Sequence, residues 1–180
     1  MNAKVARIGG ICFTLITAWS FSGCLKTEEF PDEPNLTFKS LEQRFETVQN
    51  GTGPTRFIDI KVDFTDGDGD IGLDEGDTQS PFGVDEDHYY NFLVEFKRSQ
   101  AGVWTDIDSD WRYRIKRISP SGQDPTLNGE IKVEVVQFPG VRPFPLPDIL
   151  VGDTLQAYIR LEDRSLNSSN TVTSGPFVMR

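Results

Sequence analysis

The stretch Phe57-Ile58-Asp59-Ile60-Lys61-Val62-Asp63-Phe64 alternates apolar and polar residues without a break, so Ile58, Ile60, Val62 and Phe64 share one face. A period of two is the signature of a half-buried strand, and it recurs along the chain. Phe92, Val94 and Phe96 line one face of the segment from Tyr90 to Lys97. Trp111, Tyr113 and Ile115 alternate with Arg112, Arg114 and Lys116, and Ile131, Val133 and Val135 alternate with Lys132 and Glu134. Leu155, Ala157, Ile159 and Leu161 form another such face. Leu36 to Leu41 opens the set, and Thr171 to Met179, interrupted by Gly175-Pro176, closes it. Only Ser40 to Gln49 carries a competing pattern. There Leu41, Phe45 and Val48 sit at helical spacing, and Ser40 with Gln43 has the form of a capping box. A short turn or an irregular continuation of the first strand is expected at that point. Seven short strands without a long helix predict an all-β chain folded as an antiparallel seven-strand β-sandwich.

Within that class the immunoglobulin or fibronectin type III-like arrangement is the expectation, with a jelly roll or another sandwich as the alternative. Tyr158 follows the turn Leu150-Val151-Gly152-Asp153 early in the sixth strand, and its setting is similar to the tyrosine corner of immunoglobulin-like folds.

Between the second and third strands lies Asp66-Gly67-Asp68-Gly69-Asp70-Ile71-Gly72-Leu73-Asp74-Glu75-Gly76-Asp77. No Lys or Arg occurs between Lys61 and Lys97. Carboxylates this crowded repel one another unless a cation sits among them. Calcium (Ca2+) suits such a site, because it takes about 6–8 oxygens in flexible geometry. Gly67, Gly69 and Gly72 permit backbone angles with positive φ and let carbonyls join the ligand set. Asp66, Asp68, Asp70, Asp74 and Asp77 are the candidate ligands, with an affinity on the order of 10⁻⁴–10⁻³ M. The run is similar to the calcium loops of EF-hand, dockerin and thrombospondin modules without matching them: counted from Asp66, the EF-hand glycine position holds Ile71 and the final glutamate position holds Asp77. A solvated acidic hairpin and a magnesium site are the other readings. In a Greek-key sandwich the loops after strands two and six emerge at one pole. Asp163 and Asn167 in Glu162–Asn170 are therefore candidate contributors, Arg164 is a candidate ion-pair partner, and an Asx-rich turn is the plainer reading.

The N-terminus sets the address. Lys4 and Arg7 precede an apolar run from Ile8, and Phe21-Ser22-Gly23-Cys24 ends it. The run is shorter than the ~20 apolar residues of a membrane-spanning helix. Phe21-Ser22-Gly23-Cys24 resembles a bacterial lipoprotein processing site. The resemblance implies cleavage before Cys24, lipidation of Cys24 and attachment to a membrane. The expected organisation is a signal peptide over 1–23, a lipidated cysteine with an acidic tether over 24–34, and a sandwich domain over 35–180. Removing 1–23 takes away Lys4, Arg7 and Cys12 but no acid, so the net charge would go from −10 to −12 and no disulfide could form. That charge argues against nucleic acid as a partner. Lys26-Thr27-Glu28-Glu29 resembles the signals that send some Bacteroidota lipoproteins to the cell surface, with the periplasmic face of the outer membrane as the alternative. Asp66 to Gly72, Asp163 to Asn170 and the processing site together resemble a group of uncharacterised Bacteroidota outer-membrane lipoproteins with an immunoglobulin-like domain. The resemblance implies no activity.

Chemistry beyond the acidic loop is sparse. His88 is the single histidine, which leaves Ser-His-Asp and Cys-His catalysis without support, and a surface histidine entering a strand is the expectation for it. No glycine-rich phosphate loop joins a strand to a helix. The chain is therefore expected not to be an enzyme, with a carboxylate-pair hydrolase as the exception to test. Phe144, in the proline-rich run Phe138–Pro147, is a candidate protein contact. Trp104, after the turn at Ala101-Gly102, is a candidate glycan contact, beside Trp111, Tyr89 and Tyr90. Asp153-Thr154-Leu155 resembles a Bacteroidota O-glycosylation site, with a buried strand start as the preferred reading. The leading expectation is a lipid-anchored binding or structural accessory of an envelope complex or adhesin. The alternative is a glycan-binding accessory lipoprotein of a nutrient-uptake system.

Overall fold

The alternating segments pair into seven strands: β1 (Asn35–Thr47), β2 (Pro54–Asp66), β3 (Phe92–Gln100), β4 (Val103–Tyr113), β5 (Leu127–Gln137), β6 (Thr154–Leu161) and β7 (Val172–Val178). The structure, a computed structural model, describes residues 30–47, 54–119, 125–137, 149 and 151–180. The segment expected to be a signal peptide, Cys24 and Phe144 with its proline-rich run lie outside the described residues. Among the described residues no helix is long and apolar enough to cross a membrane.

Two antiparallel sheets form, one in the order β1-β2-β5 and the other β4-β3-β6-β7. They pack as a sandwich, and the faces read from the alternation meet in its core. Ile58, Ile60, Val62 and Phe64 of β2, with Ile131, Val133 and Val135 of β5, are buried from one side. Phe92, Val94 and Phe96 of β3, with Leu155, Ala157, Ile159 and Leu161 of β6, are buried from the other. Phe96 sits edge-to-face against Trp111 at 5.0 Å, which places Trp111 in the core margin.

Ser40 to Thr47 continues β1. Every residue from Ser40 to Thr47 pairs with β2 after a register shift between Phe38 and Ser40. The shift adds one residue to the strand, so its apolar face passes from Phe38 to Leu41 and Phe45; the four-residue step from Leu41 to Phe45 suits a strand as well as a helix, and Val48 lies outside the described residues. β4 begins earlier than the alternation around Trp111 suggests and ends at Tyr113, leaving Arg114 and Lys116 to the loops. Gly175-Pro176 stays within β7, opposite an irregularity between Gln156 and Tyr158 of β6.

Register sets the poles. Asn35 pairs with Thr65 and Asp66 with Leu127, while Phe92 pairs with both Leu161 and Tyr113. The start of β1 and the loops after β2, β4 and β6 therefore share one pole. Asn170 closes the sandwich there: its Oδ1 accepts from Leu36 N–H at 2.7 Å and its Nδ2 donates to Leu36 O at 3.0 Å. A side-chain amide thus joins the loop before β7 to the backbone of β1.

Candidate metal centre

β2 carries its alternation to Asp66, and the loop that follows divides into two halves with opposite electrostatics. In the first half Asp66, Asp68 and Asp70 come together with Asp163, from the turn after β6. Each of the four offers a carboxylate oxygen, and all these oxygens lie within 4.8 Å of one another. Asp66 is fully buried, Asp163 is buried, Asp70 is half-buried and Asp68 is exposed. No ion pair among the described residues neutralises any of them.

Local hydrogen bonds aim the group. Asp66 Oδ2 accepts from Asp70 N–H at 3.0 Å, which curls the chain around Gly69 with its φ of 70°. Ser165 Oγ donates to Asp70 Oδ2 at 2.7 Å, and Arg164 N–H donates to Asp70 O at 3.2 Å. Asn167 turns both its backbone N–H (2.7 Å) and its side-chain Nδ2 (2.9 Å) onto the Asp163 carboxylate. Asn167 is therefore the residue that orients Asp163. Asp66 Oδ1 and Asp70 Oδ1 are shut off from solvent and have no hydrogen-bond partner among the described residues.

The electrostatic cost is legible in the acids themselves. Burial, against the help of the Asp70 N–H and reinforced by the charges of Asp68, Asp70 and Asp163, pushes the Asp66 carboxyl up to about 7. Burial and the neighbouring Asp70 and Asp32 charges raise Asp68. Burial raises Asp163 as well, and its two bonds from Asn167 only partly offset that. Burial leads in all three, and the repulsion among the acids adds to it.

The second half of the loop behaves differently, because cations distant in sequence reach it. Arg164 makes a bidentate pair with Asp77, 2.7 Å at each oxygen. Arg117 pairs with Asp74 at 3.1 Å, and Lys116 approaches Glu75 at 3.5 Å. Arg114 donates to Asp77 O at 2.8 Å and Asp74 O at 3.1 Å, and stacks on Tyr89 at 4.8 Å. Asp74 and Asp77 are thus not part of the four-carboxylate group. They separate from it because Ile71 and Leu73, both buried, pin the intervening chain into the core. That segment forms a short ladder with the chain after β4: Leu73 N–H donates to Ile115 O, Arg117 N–H to Leu73 O and Ile118 N–H to Ile71 O. Gly72, with φ +91°, lies so close that a Cβ there would stand 2.3 Å from Lys116 O.

Sequence reasoning missed these anchors, although Ile71-Gly72-Leu73 does alternate. It also misread Gly67, whose φ is not positive. Gly67 is small because the backbone of Phe30 and Pro31 passes over it: a Cβ would stand 2.3 Å from Phe30 O, and Gly67 N–H donates to Pro31 O at 2.8 Å. His88 Nδ1 lies 2.6 Å from Glu162 Oε1, outside the four-acid group. Trp104 is 37% exposed, at the sheet surface as expected. Tyr89 and Tyr90 stand edge-to-face at 84°, so together they present no flat stacking surface. Among the described residues no helix follows the acidic loop, so the flanking helices of an EF-hand are absent.

No family model, curated protein or solved structure matches the chain.

Proposed function

We propose that this protein is a lipid-anchored, non-catalytic envelope module of fibronectin type III-like arrangement that binds calcium at Asp66, Asp68, Asp70 and Asp163. The observation that carries the reading is the meeting of these four carboxylates, with the fully buried Asp66 holding an oxygen that has no hydrogen-bond partner among the described residues. Oxygens on a shell of about 2.4 Å radius stand at most about 4.8 Å apart, so the cluster is compatible with one calcium ion. Magnesium fits less well, since it holds its waters and uses only one or two carboxylates. Nearby backbone carbonyls and water would complete the shell. The site would be structural: calcium cross-links the loop after β2 to the turn after β6 and relieves the repulsion there.

The fibronectin type III-like arrangement is supported by the strand order, in which β5 leaves the second sheet to pair with β2 in the first and β6 returns beside β3. Lipidation at Cys24 and the outer-membrane address rest on Phe21-Ser22-Gly23-Cys24 and the segment after it, and with them the likeness to Bacteroidota outer-membrane lipoproteins. A binding or structural role in an envelope complex or adhesin follows from the site's character: its acids are arranged as ligands around one point.

Calorimetric titration tests the site. Calcium should bind with a Kd on the order of 10⁻⁴–10⁻³ M, and Asp68→Asn or Asp70→Asn should each weaken it roughly tenfold or more. An unchanged melting temperature between millimolar calcium and chelator would overturn the reading.

A further inference from the structure

The two loops that bring the four carboxylates together also grip the chain as it enters the sandwich. Gly67, between Asp66 and Asp68, donates its N–H to Pro31 O at 2.8 Å, with no room for a side chain beneath Phe30 and Pro31. Asn170, on the loop that carries Asp163, brackets the Leu36 backbone at 2.7 and 3.0 Å. Pro34, between these two grips, is buried. The acidic segment before β1, expected to be a free tether to its end, is therefore docked over residues 30–34. Asp32 rides on that docked segment, exposed to solvent and next in sequence to Pro31, whose carbonyl accepts from Gly67, the residue before Asp68.

We propose that the cation site is a clasp: the ion held by Asp66, Asp68, Asp70 and Asp163 locks residues 30–36 onto the pole of the sandwich, with Asp32 adding its charge from the docked segment. The proposal rests on the cation reading above and adds to it a consequence for orientation. With the site empty, repulsion between Asp32 and Asp68 loosens the segment's hold on the loop. With the site filled, the same charges are drawn toward the ion and the segment is held. Any anchor placed before residue 30 then meets a rigid joint in calcium and a loose one without it. The grip is also steric. The segment crosses the loop at Gly67, between two ligands, so displacing it moves both.

Hydrogen exchange on the full-length protein tests the clasp, with calorimetry on the same sample. Millimolar calcium should slow exchange across residues 30–36 and at the Gly67 amide by roughly fivefold or more relative to chelator. Asp32→Asn, an exposed change that leaves the fold intact, should weaken calcium binding roughly threefold. Gly67→Ala should abolish the calcium-dependent protection of 30–36 while the strands keep theirs. Since that variant can also disturb the loop, Asp32→Asn serves as the independent arm. Calcium that binds without slowing exchange in 30–36, or binds Asp32→Asn as tightly as the parent, overturns the clasp and leaves the site standing. If no heat of binding appears at all, the cation reading and the clasp fall together.

Discussion

At the scale of single residues, Asp66 concentrates the chemistry. It ends a strand, so its backbone is fixed by pairing with Leu127, and it is fully buried, so its charge has no water to spread into. An aspartate in that position holds a proton more tightly folded than unfolded. Between the ordinary value of 3.8 and about 7, the folded protein therefore carries a proton that the unfolded chain has lost. Stability then falls as pH rises through that window and levels off above it, with a span of about 4 kcal/mol. Asp59, lowered by Arg44 and Lys132 against the opposing effect of burial, works in the other direction, but only at pH below its ordinary value. In chelator the melting temperature should consequently be higher near pH 5 than near pH 8. Asp66→Asn should flatten that slope, because the amide keeps an acceptor for Asp70 N–H and carries no charge. Millimolar calcium should make the slope shallower, because it competes with the proton for Asp66 and, at a Kd on the order of 10⁻⁴–10⁻³ M, restores roughly 0.4–1.4 kcal/mol near pH 8. Thermal melts at the two pH values, with chelator and with calcium, check all three outcomes.

At the scale of elements, the acidic loop shows what a linear reading sees and what it misses. Six acids in a run without a cation nearby mark excess charge, and Asp66, Asp68 and Asp70 do stay unpaired. Asp74, Glu75 and Asp77 do not, because Lys116, Arg117 and Arg164 arrive from positions far along the chain. Pairing across a fold depends on topology, and spacing in sequence carries no trace of it. Asp163 was legible for the opposite reason: a Greek-key order puts the loops after strands two and six at one pole whatever their sequences. The strand faces were legible because burial on one side enforces a period of two. The second half of β1 was not, since a single bulge shifts the period. Gly72 tests how the loop is divided. A side chain there meets Lys116 O and an unfavourable φ, so Gly72→Ala should cost roughly 2–4 kcal/mol, mostly by opening the ladder between 71–73 and 115–118. Denaturant unfolding gives the cost. Hydrogen exchange should show early opening at the amides of Leu73, Arg117 and Ile118, with the strands still protected.

At the scale of the whole molecule, the sandwich is held by one core and closed at one pole by polar contacts between the sheets. Asn170 makes the closure between a loop of the four-stranded sheet and the first residues of the three-stranded one. Its geometry is that of a strand partner: one acceptor and one donor on the two backbone groups of Leu36. Removing it leaves both groups without that partner at a partly buried place, so Asn170→Ala should cost roughly 1–3 kcal/mol. Asn170→Asp is the sharper test, because the carboxylate can still accept from Leu36 N–H but sets a negative oxygen against Leu36 O. A closure that works through donor and acceptor together predicts that the aspartate variant is no more stable than the alanine one. A simple polar contact predicts an aspartate variant close to the parent. Urea unfolding in chelator separates the two, provided the slope with denaturant stays unchanged, since neither variant alters the surface that unfolding exposes. An aspartate variant as stable as the parent would mean that the donor to Leu36 O contributes nothing. The polar closure would then rest on the bond that Leu36 N–H donates.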